Sequence, residues 1–324
     1  KEGIQIVIGP IFHQNLIYLE EVQNLTFLSL SNKTKIIPKN VITMGVNANS
    51  QINAIVNFIK KENLNKTIVL IPKSNFEDEL RNALVKSKYE FMNIYSYDVE
   101  PNKLISQIKQ ITAYSERTKK LEKIIEFVEK GIEILEKEEE LENLKKKYTL
   151  GEVDLDSVVI NERELKNLKK KYTLGEVDFD SVVIANFGEN LKSVTNSFSF
   201  FDVTAQDVKF ITLNQWFDET LLKESSANQI YFPSINLTNY SKFRETYFKS
   251  YNKYPPQISI LSYDILGLIY YIKKVQGDNL VKNILNKKIS YIGEVGKFSF
   301  EDKIVTHKLD IYQVFDNKFL KINK

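Results

Sequence analysis

Few side chains in this chain could carry out chemistry. The 324 residues include two histidines, His13 and His307, and no cysteine. Disulfides, thiolate metal sites and the common His-based zinc or triad arrangements therefore lack their ligands. Two carboxylate pairs, Asp154/Asp156 and Asp178/Asp180, could in principle split their pKa values into an acid and a base. Their i, i+2 spacing at a strand start reads instead as a turn residue followed by a solvent-facing one. No Gly-x-Ser-x-Gly elbow, P-loop, Gly-x-Gly-x-x-Gly turn or Asp-x-Asp-x-Asp-Gly calcium loop occurs, so acyl transfer, nucleotide binding and calcium binding lack their backbone signatures. No catalytic residue, metal ligand or cofactor is assigned, and the sequence reads as that of a non-enzyme.

Charge is balanced. Forty-five basic residues stand against 42 acidic ones, a net +3, which gives no footprint for nucleic acid. Apolar residues make up 43% of the chain, enough for a substantial core. The longest apolar run, 258–272, is broken by Ser259, Ser262 and Asp264 and is too short to cross a bilayer.

The elements that must position any site alternate between strand and helix. Strands are expected over 4–9, 26–30, 42–45, 67–71, 91–97, 181–185, 209–213 and 229–232. Helices are expected over 15–23, 50–61, 77–87, 104–114, 190–201, 240–251, 258–275 and 279–286, with a hairpin-like end at 297–300 and 308–314. This alternation implies parallel sheets with helices on both faces. The segment 116–147 differs: Leu121, Ile125, Val128, Ile132 and Leu135 fall at helical spacing amid dense Glu and Lys. It reads as an amphipathic insertion packing one stripe on its parent domain, with a coiled-coil arm as the alternative; a second helix over 162–172 leads back into the fold.

Within that insertion the chain repeats itself. NLKKKYTLGEVDLDSVVI from Asn143 returns 24 residues later as NLKKKYTLGEVDFDSVVI from Asn167. Repeat architectures need at least about three units to bury a continuous core, so two copies mark a local duplication inside another fold. The second copy is followed by Asn186-Phe187-Gly188 and a helix, as a strand–helix unit requires. Residues 179–185 are therefore expected in the sheet, with 155–160 looped out or on an edge.

In open parallel sheets, ligands sit beyond the carboxyl ends of the strands. The residues expected at such a cleft are His13, Ser31, Asn32, Phe76, Phe187, Gln215, Trp216 and Tyr263, a neutral polar and aromatic mixture suited to binding. At least half of the residues at strand ends cap helices or fill loops instead, and His13 reads equally as a cleft-mouth residue or as a bystander.

The ordered series VIGPIFHQN, TFLSLSNKT, ITMGVNANSQ and IVLIPKSNFEDEL resembles successive sheet elements of type I periplasmic binding proteins. FDSVVIANFGENLKSVTNSFSFFDVTAQDVKFITLNQWFDE, continuing through FRETYFKSYNKYPPQISILSYDILGLIYYI, resembles the penicillin-binding protein activator family of lipoproteins. The resemblance implies a two-lobed α/β type I periplasmic binding protein fold with parallel sheets flanked by helices, plus a charged helical insertion. One lobe is expected over 1–45 and 234–298, the other over 46–233 and 299–324, with the insertion over 116–176. The chain opens at what resembles the family's third strand, so the first sheet is expected to look incomplete, and an outer-membrane lipid anchor would belong to an N-terminal portion ahead of it. The resemblance further implies a periplasmic or cell-envelope protein that regulates peptidoglycan synthesis by binding a penicillin-binding protein. The alternative is a solute-binding receptor that serves an ABC transporter permease and takes a small polar or amino-acid-like ligand. Against that alternative, His13 stands where amino-acid binders place a serine and Gln215 where they place an acid, while Phe76 and Phe187 match aromatic positions.

Overall fold

Continuous runs of apolar, β-branched residues build the centres of two sheets. The computed structural model describes residues 3–123, 176–276, 290–301 and 303–322. The first sheet joins β1 (Ile6–Ile8), β2 (Thr26–Ser29) and β3 (Val41–Thr43), all parallel, to β11 (Ile304–His307), β10 (Gly296–Glu301) and β9 (Ser290–Gly293) in that spatial order. β11 runs parallel to β3, and β10 is antiparallel to both its neighbours. The second sheet runs β13 (Lys318–Lys321), β12 (Asp310–Phe315), β8 (Tyr231–Ser234), β7 (Lys209–Thr212), β6 (Ser181–Ile184), β4 (Thr67–Pro72), β5 (Asn93–Tyr97). From β5 to β8 it is parallel; β12 and β13 are antiparallel.

The period of two along β4 shows how both faces are covered. Val69 and Ile71 pack with Ile52, Ile55 and Leu80 under α1 (Ala48–Lys61) and α2 (Glu77–Ser87). Ile68 and Leu70 face the other way, onto Leu104 and Ile108 of α3 (Pro101–Ile111) and Leu191, Val194 and Phe198 of α4 (Gly188–Phe200). Each such buried side chain contributes about 1.5–3 kcal/mol. The helical stretch 114–123 is tied down where Arg117 donates to the carbonyls of Phe201 and Asp202. After β8 the chain forms α5 (Leu237–Tyr251) and α6 (Ser259–Gln276), whose Ile265 and Leu268 join the core cluster that holds Phe298 and Phe300 of the first sheet. Asp264, which interrupts the apolar run, is buried and accepts the backbone N–H groups of Glu294 and Val295, each at 2.8 Å. Burial pushes its carboxyl pKa up. No helix of the described residues is long and apolar enough to cross a membrane.

The structure corrects several expectations. Residues 15–23 form short 3-10 turns, His13–Asn15 and Ile17–Leu19, instead of an α-helix. The Asn40 amide donates to the carbonyls of Leu19, Val22 and Leu25 and so takes acceptors a helix would use internally. The end of the chain is not a simple hairpin. β10 pairs with β11, whereas β12 leaves that sheet and pairs with β8. Residues 299–307, expected with the second lobe, therefore belong to the first sheet, and the passage falls at Lys308–Leu309. The second repeat copy supplies β6, between β4 and β7 at the centre of the second sheet. The first copy at 155–160, the helix expected over 116–147 beyond residue 123, the helices expected over 162–172 and 279–286, and most of the insertion lie outside the described residues.

The first and last of the passages between the sheets meet at the start of α1. Asn47 caps this helix by accepting Ser50 N, and its amide donates to Val305 O on β11. Ser50 Oγ donates to Asn47 Oδ1 and accepts the backbone N–H of His307. The His307 ring is 4% exposed and bonds Met44 O through Nε2 at 2.9 Å. Gly45 lies so close to the Ser31 and Leu30 carbonyls that a Cβ would sit 2.5 Å and 2.6 Å from them.

Two outcomes follow. Burial holds the His307 imidazole neutral, its pKa pushed from 6.5 down to about 4. As pH falls through that window the unfolded chain takes up a proton that the folded chain refuses. Stability therefore declines from about pH 6.5 to about pH 4, by on the order of 3 kcal/mol, and levels off below. Urea unfolding across this range should show that slope in the wild type and a flatter one in His307→Gln. Separately, deleting residues 143–166, one repeat period, regenerates a single copy at the junction. Unfolding free energy should change by less than about 1 kcal/mol; loss of the folded state would make the first copy structural.

Candidate functional site

A cavity of about 290 Å³ opens between the carboxyl ends of the two sheets. Asn32 enters it from the loop after β2, and Val46 and Gln51 from the first passage and α1. The second sheet contributes Phe76 ahead of α2, Phe187 and Gly188 at the start of α4, and Leu213 to Trp216 with Asp218 after β7. Of the eight residues expected here, Asn32, Phe76, Phe187, Gln215 and Trp216 line the cavity.

His13 and Ser31 do not line it. Ser31 is buried, its Oγ accepting Lys33 N, and its carbonyl accepts Gly45 N. His13 sits half-buried in the first 3-10 turn, with Nδ1 unpartnered. Tyr263 is elsewhere: it lies on α6, is 56% exposed, and packs at a tilt against Phe243 of α5 with ring centroids 5.7 Å apart. It lines a groove between α5 and α6 instead of the cleft.

The β7 loop is fastened from within. The Gln215 amide donates to Asn186 O, Leu213 O and Thr212 Oγ1 at 3.0, 3.0 and 3.3 Å, leaving no donor for a ligand. Asn214 accepts Trp216 N and Ser234 Oγ through Oδ1, and its own backbone N–H reaches Gln51 Oε1. Its Nδ2 is buried without a partner. Trp216 and Phe217 both take left-handed backbone, φ 50° and 55°, uncommon and strained for bulky residues. The turn places Trp216 along the cavity and sends Phe217 into an aromatic cluster with Phe232, Tyr240, Tyr312 and Phe319. Asn186 donates to Tyr97 Oη at 2.6 Å, and burial pushes that phenol up to about 12.

Two residues that sequence reasoning missed define the site's electrostatics. Asp218 lines the cavity, one carboxylate oxygen accepting Thr220 N. The expectation that the cleft lacks an acid is thereby corrected; the Asp of NQWFDE, three residues beyond Gln215, was the available signal. Glu79 of α2 joins the two lobes beside the cleft. Its Oε1 accepts Thr34 N at 2.7 Å and Thr34 Oγ1 at 2.9 Å, and Oε2 lies 3.6 Å from Lys33 Nζ. The same Lys33 Nζ lies over the Phe76 ring, 4.0 Å from its centroid. A loop of the first sheet is thus clasped onto a helix of the second by a carboxylate that is 6% exposed.

No protein-family model matches the sequence, and no curated protein matches it. Solved structures do. Full-length LpoA from Haemophilus influenzae superposes with TM-score 0.55 at 13% identity over 99% of this chain. The chain spans 48% of that protein, about half its length. The LpoA C-domain from the same organism, described as a regulator of PBP1A, gives 0.55 at 12% identity, covering 99% of this chain and 83% of that one. An ABC transporter substrate-binding protein from Desulfitobacterium hafniense, in complex with Leu, gives 0.57 at 13% identity, covering 99% and 81%. The chain has the type I periplasmic binding protein fold. At these identities the likeness extends to the fold, which regulators and solute receptors share.

The clasp can be tested alone. Glu79→Ala removes the oxygen that accepts both Thr34 bonds and the charge facing Lys33, so it should cost about 1–3 kcal/mol in urea unfolding. Small-angle scattering should show a larger radius of gyration as the lobes part. An unchanged radius would mean that the α1 passage alone fixes the lobe angle.

Proposed function

We propose that this protein is a non-catalytic regulator in the bacterial periplasm or cell envelope that acts by docking on a peptidoglycan synthase of the penicillin-binding protein class. The observation that carries this reading is the clasp. Glu79 ties Thr34 and Lys33 of the first lobe to α2 of the second beside the cleft, and Lys33 Nζ already lies over one face of the Phe76 ring. The Gln215 donors are spent on the protein's own carbonyls, and the cavity of about 290 Å³ is at the small end for ligand sites. No Lys or Arg is among its lining residues, so a zwitterion's carboxylate would meet no opposite charge. A cleft so arranged holds a fixed shape for a partner. The likeness to LpoA supports the choice of synthase as that partner.

A solute receptor is the second reading, favoured by one observation: Asp218 together with Phe76, Phe187 and Trp216 offers an acid and aromatic faces to an ammonium. Titration calorimetry separates the two. Leucine, isoleucine, valine and a pooled amino-acid mixture should give no heat at micromolar concentration, while immobilised protein should retain a detergent-solubilised penicillin-binding protein. Micromolar binding of any amino acid that Asp218→Asn abolishes would establish the receptor reading in its place.

A further inference from the structure

A second cavity, of about 500 Å³, runs along α1 and shares no residue with the cleft. Its volume falls within the range of small-molecule sites. Its walls come from both lobes: α1, then β10 and β11 of the first sheet, the Lys308–Leu309 passage, and the start of β12 in the second. Anything bound there touches both sides of the pivot.

The charge of this cavity is one-sided. Lys61, Lys297 and Lys308 line it, and none makes an ion pair among the described residues. The two lining carboxylates are already engaged, Glu62 with Lys209 at 3.5 Å and Asp310 with Lys321 at 2.7 Å. Moreover, Lys297 and Lys308 face one another. The register Phe298↔His307 sets them as the next pair, and Lys308 N donates to Lys297 O at 2.8 Å. Like charges directly opposite on neighbouring strands destabilise a sheet. A strand pair that keeps two such lysines at a concave wall gains by binding an anion between them.

Neutral groups complete the lining. Asn53 and Asn57 present amides one turn apart on α1, and Ser299 and Thr306 bring hydroxyls; no described hydrogen bond engages any of these side chains. His307 also lines the cavity, but with Nε2–H donating to Met44 O its buried Nδ1 is an acceptor and offers nothing to an anion. We propose that this cavity is an anion site that takes a compact diphosphate group, held by Lys61, Lys297 and Lys308 and oriented by the α1 amides. Because its walls belong to both lobes, the occupied site resists a change of lobe angle. The proposal does not depend on which reading of the cleft holds.

The test uses the full chain and inorganic pyrophosphate at low salt, with ADP as the arm that asks whether a diphosphate carried by a larger molecule fits. Calorimetry should show one site for pyrophosphate, weakened at least tenfold in Lys297→Ala/Lys308→Ala and weakened further by salt. A readout independent of ligand guards against misfolding: without anion, the double variant should melt at or above the wild-type temperature, because the opposed charges are gone. Pyrophosphate should raise the melting temperature of the wild type and leave the variant unmoved. Absence of binding to the wild type, or binding that the double variant retains in full, overturns the proposal. ADP binding equal to or tighter than that of pyrophosphate identifies the diphosphate as part of a larger ligand; weaker binding identifies free diphosphate as the occupant.

Discussion

The hydrogen bonds around the first turn of α1 are the constraint on which the two-lobed arrangement rests. A helix start leaves four backbone donors unsatisfied, and here the remedy also joins the lobes. Asn47 caps α1 with one side-chain atom and holds β11 with the other. Ser50 stands between Asn47 and the His307 backbone, and Gln51 reaches Asn214 of the second sheet. Asn47, Ser50, Gln51 and His307 are each 5% exposed or less. Removing one partner would strand a buried polar group at about 1–3 kcal/mol, so the network has little freedom to rearrange. The first and last passages between sheets are fixed to one another at this point.

A stiff pivot changes what the cleft can do. A ligand closes a two-lobed protein only by as much as it prefers the closed state. Here the protein supplies closing contacts itself, through Glu79, Thr34 and Lys33. The aromatic wall is likewise partly satisfied, because Lys33 covers Phe76. The free energy left for a small molecule to gain by closure is correspondingly reduced. A fixed lobe angle is a disadvantage in a transport receptor and an advantage in a surface that a partner must recognise.

Much of this was legible in the sequence, for physical reasons that also explain the failures. β4, β6 and β7 are buried on both faces and so appear as continuous apolar runs. α2 spans the residues expected of it, and its first turn carries Glu77, Asp78 and Glu79, which complement the helix dipole. The choice between the repeat copies rested on Asn186-Phe187-Gly188, and β6 is the copy those residues follow. Residues 15–23 failed because Asn40, distant in sequence, competes for their carbonyls. The passage at Lys308–Leu309 failed because alternation continues unbroken from β11 into β12, although the two belong to different sheets. Glu79 was hidden by its helix: a carboxylate in an acidic first turn reads as a dipole complement, and nothing local announces a partner 45 positions away.

Low identity and a retained fold are compatible, since cores tolerate exchange among apolar residues of similar volume. Polar sites do not, and the two cavities of this molecule carry opposite charge. The cleft is lined by an acid and by no Lys or Arg; the cavity along α1 is lined by three lysines that make no ion pair among the described residues. Consecutive residues of one helix connect them, Ser50 lining the cavity along α1 and Gln51 lining the cleft. Gln51 Oε1 accepts the backbone N–H of Asn214, at the head of the loop that carries Trp216 and Asp218. A displacement of the first turn of α1 therefore cannot alter one cavity alone. An anion that steadied Ser50 and its neighbours would also steady the loop that shapes the cleft, through the side-chain bonds of Asn47, Ser50 and Gln51.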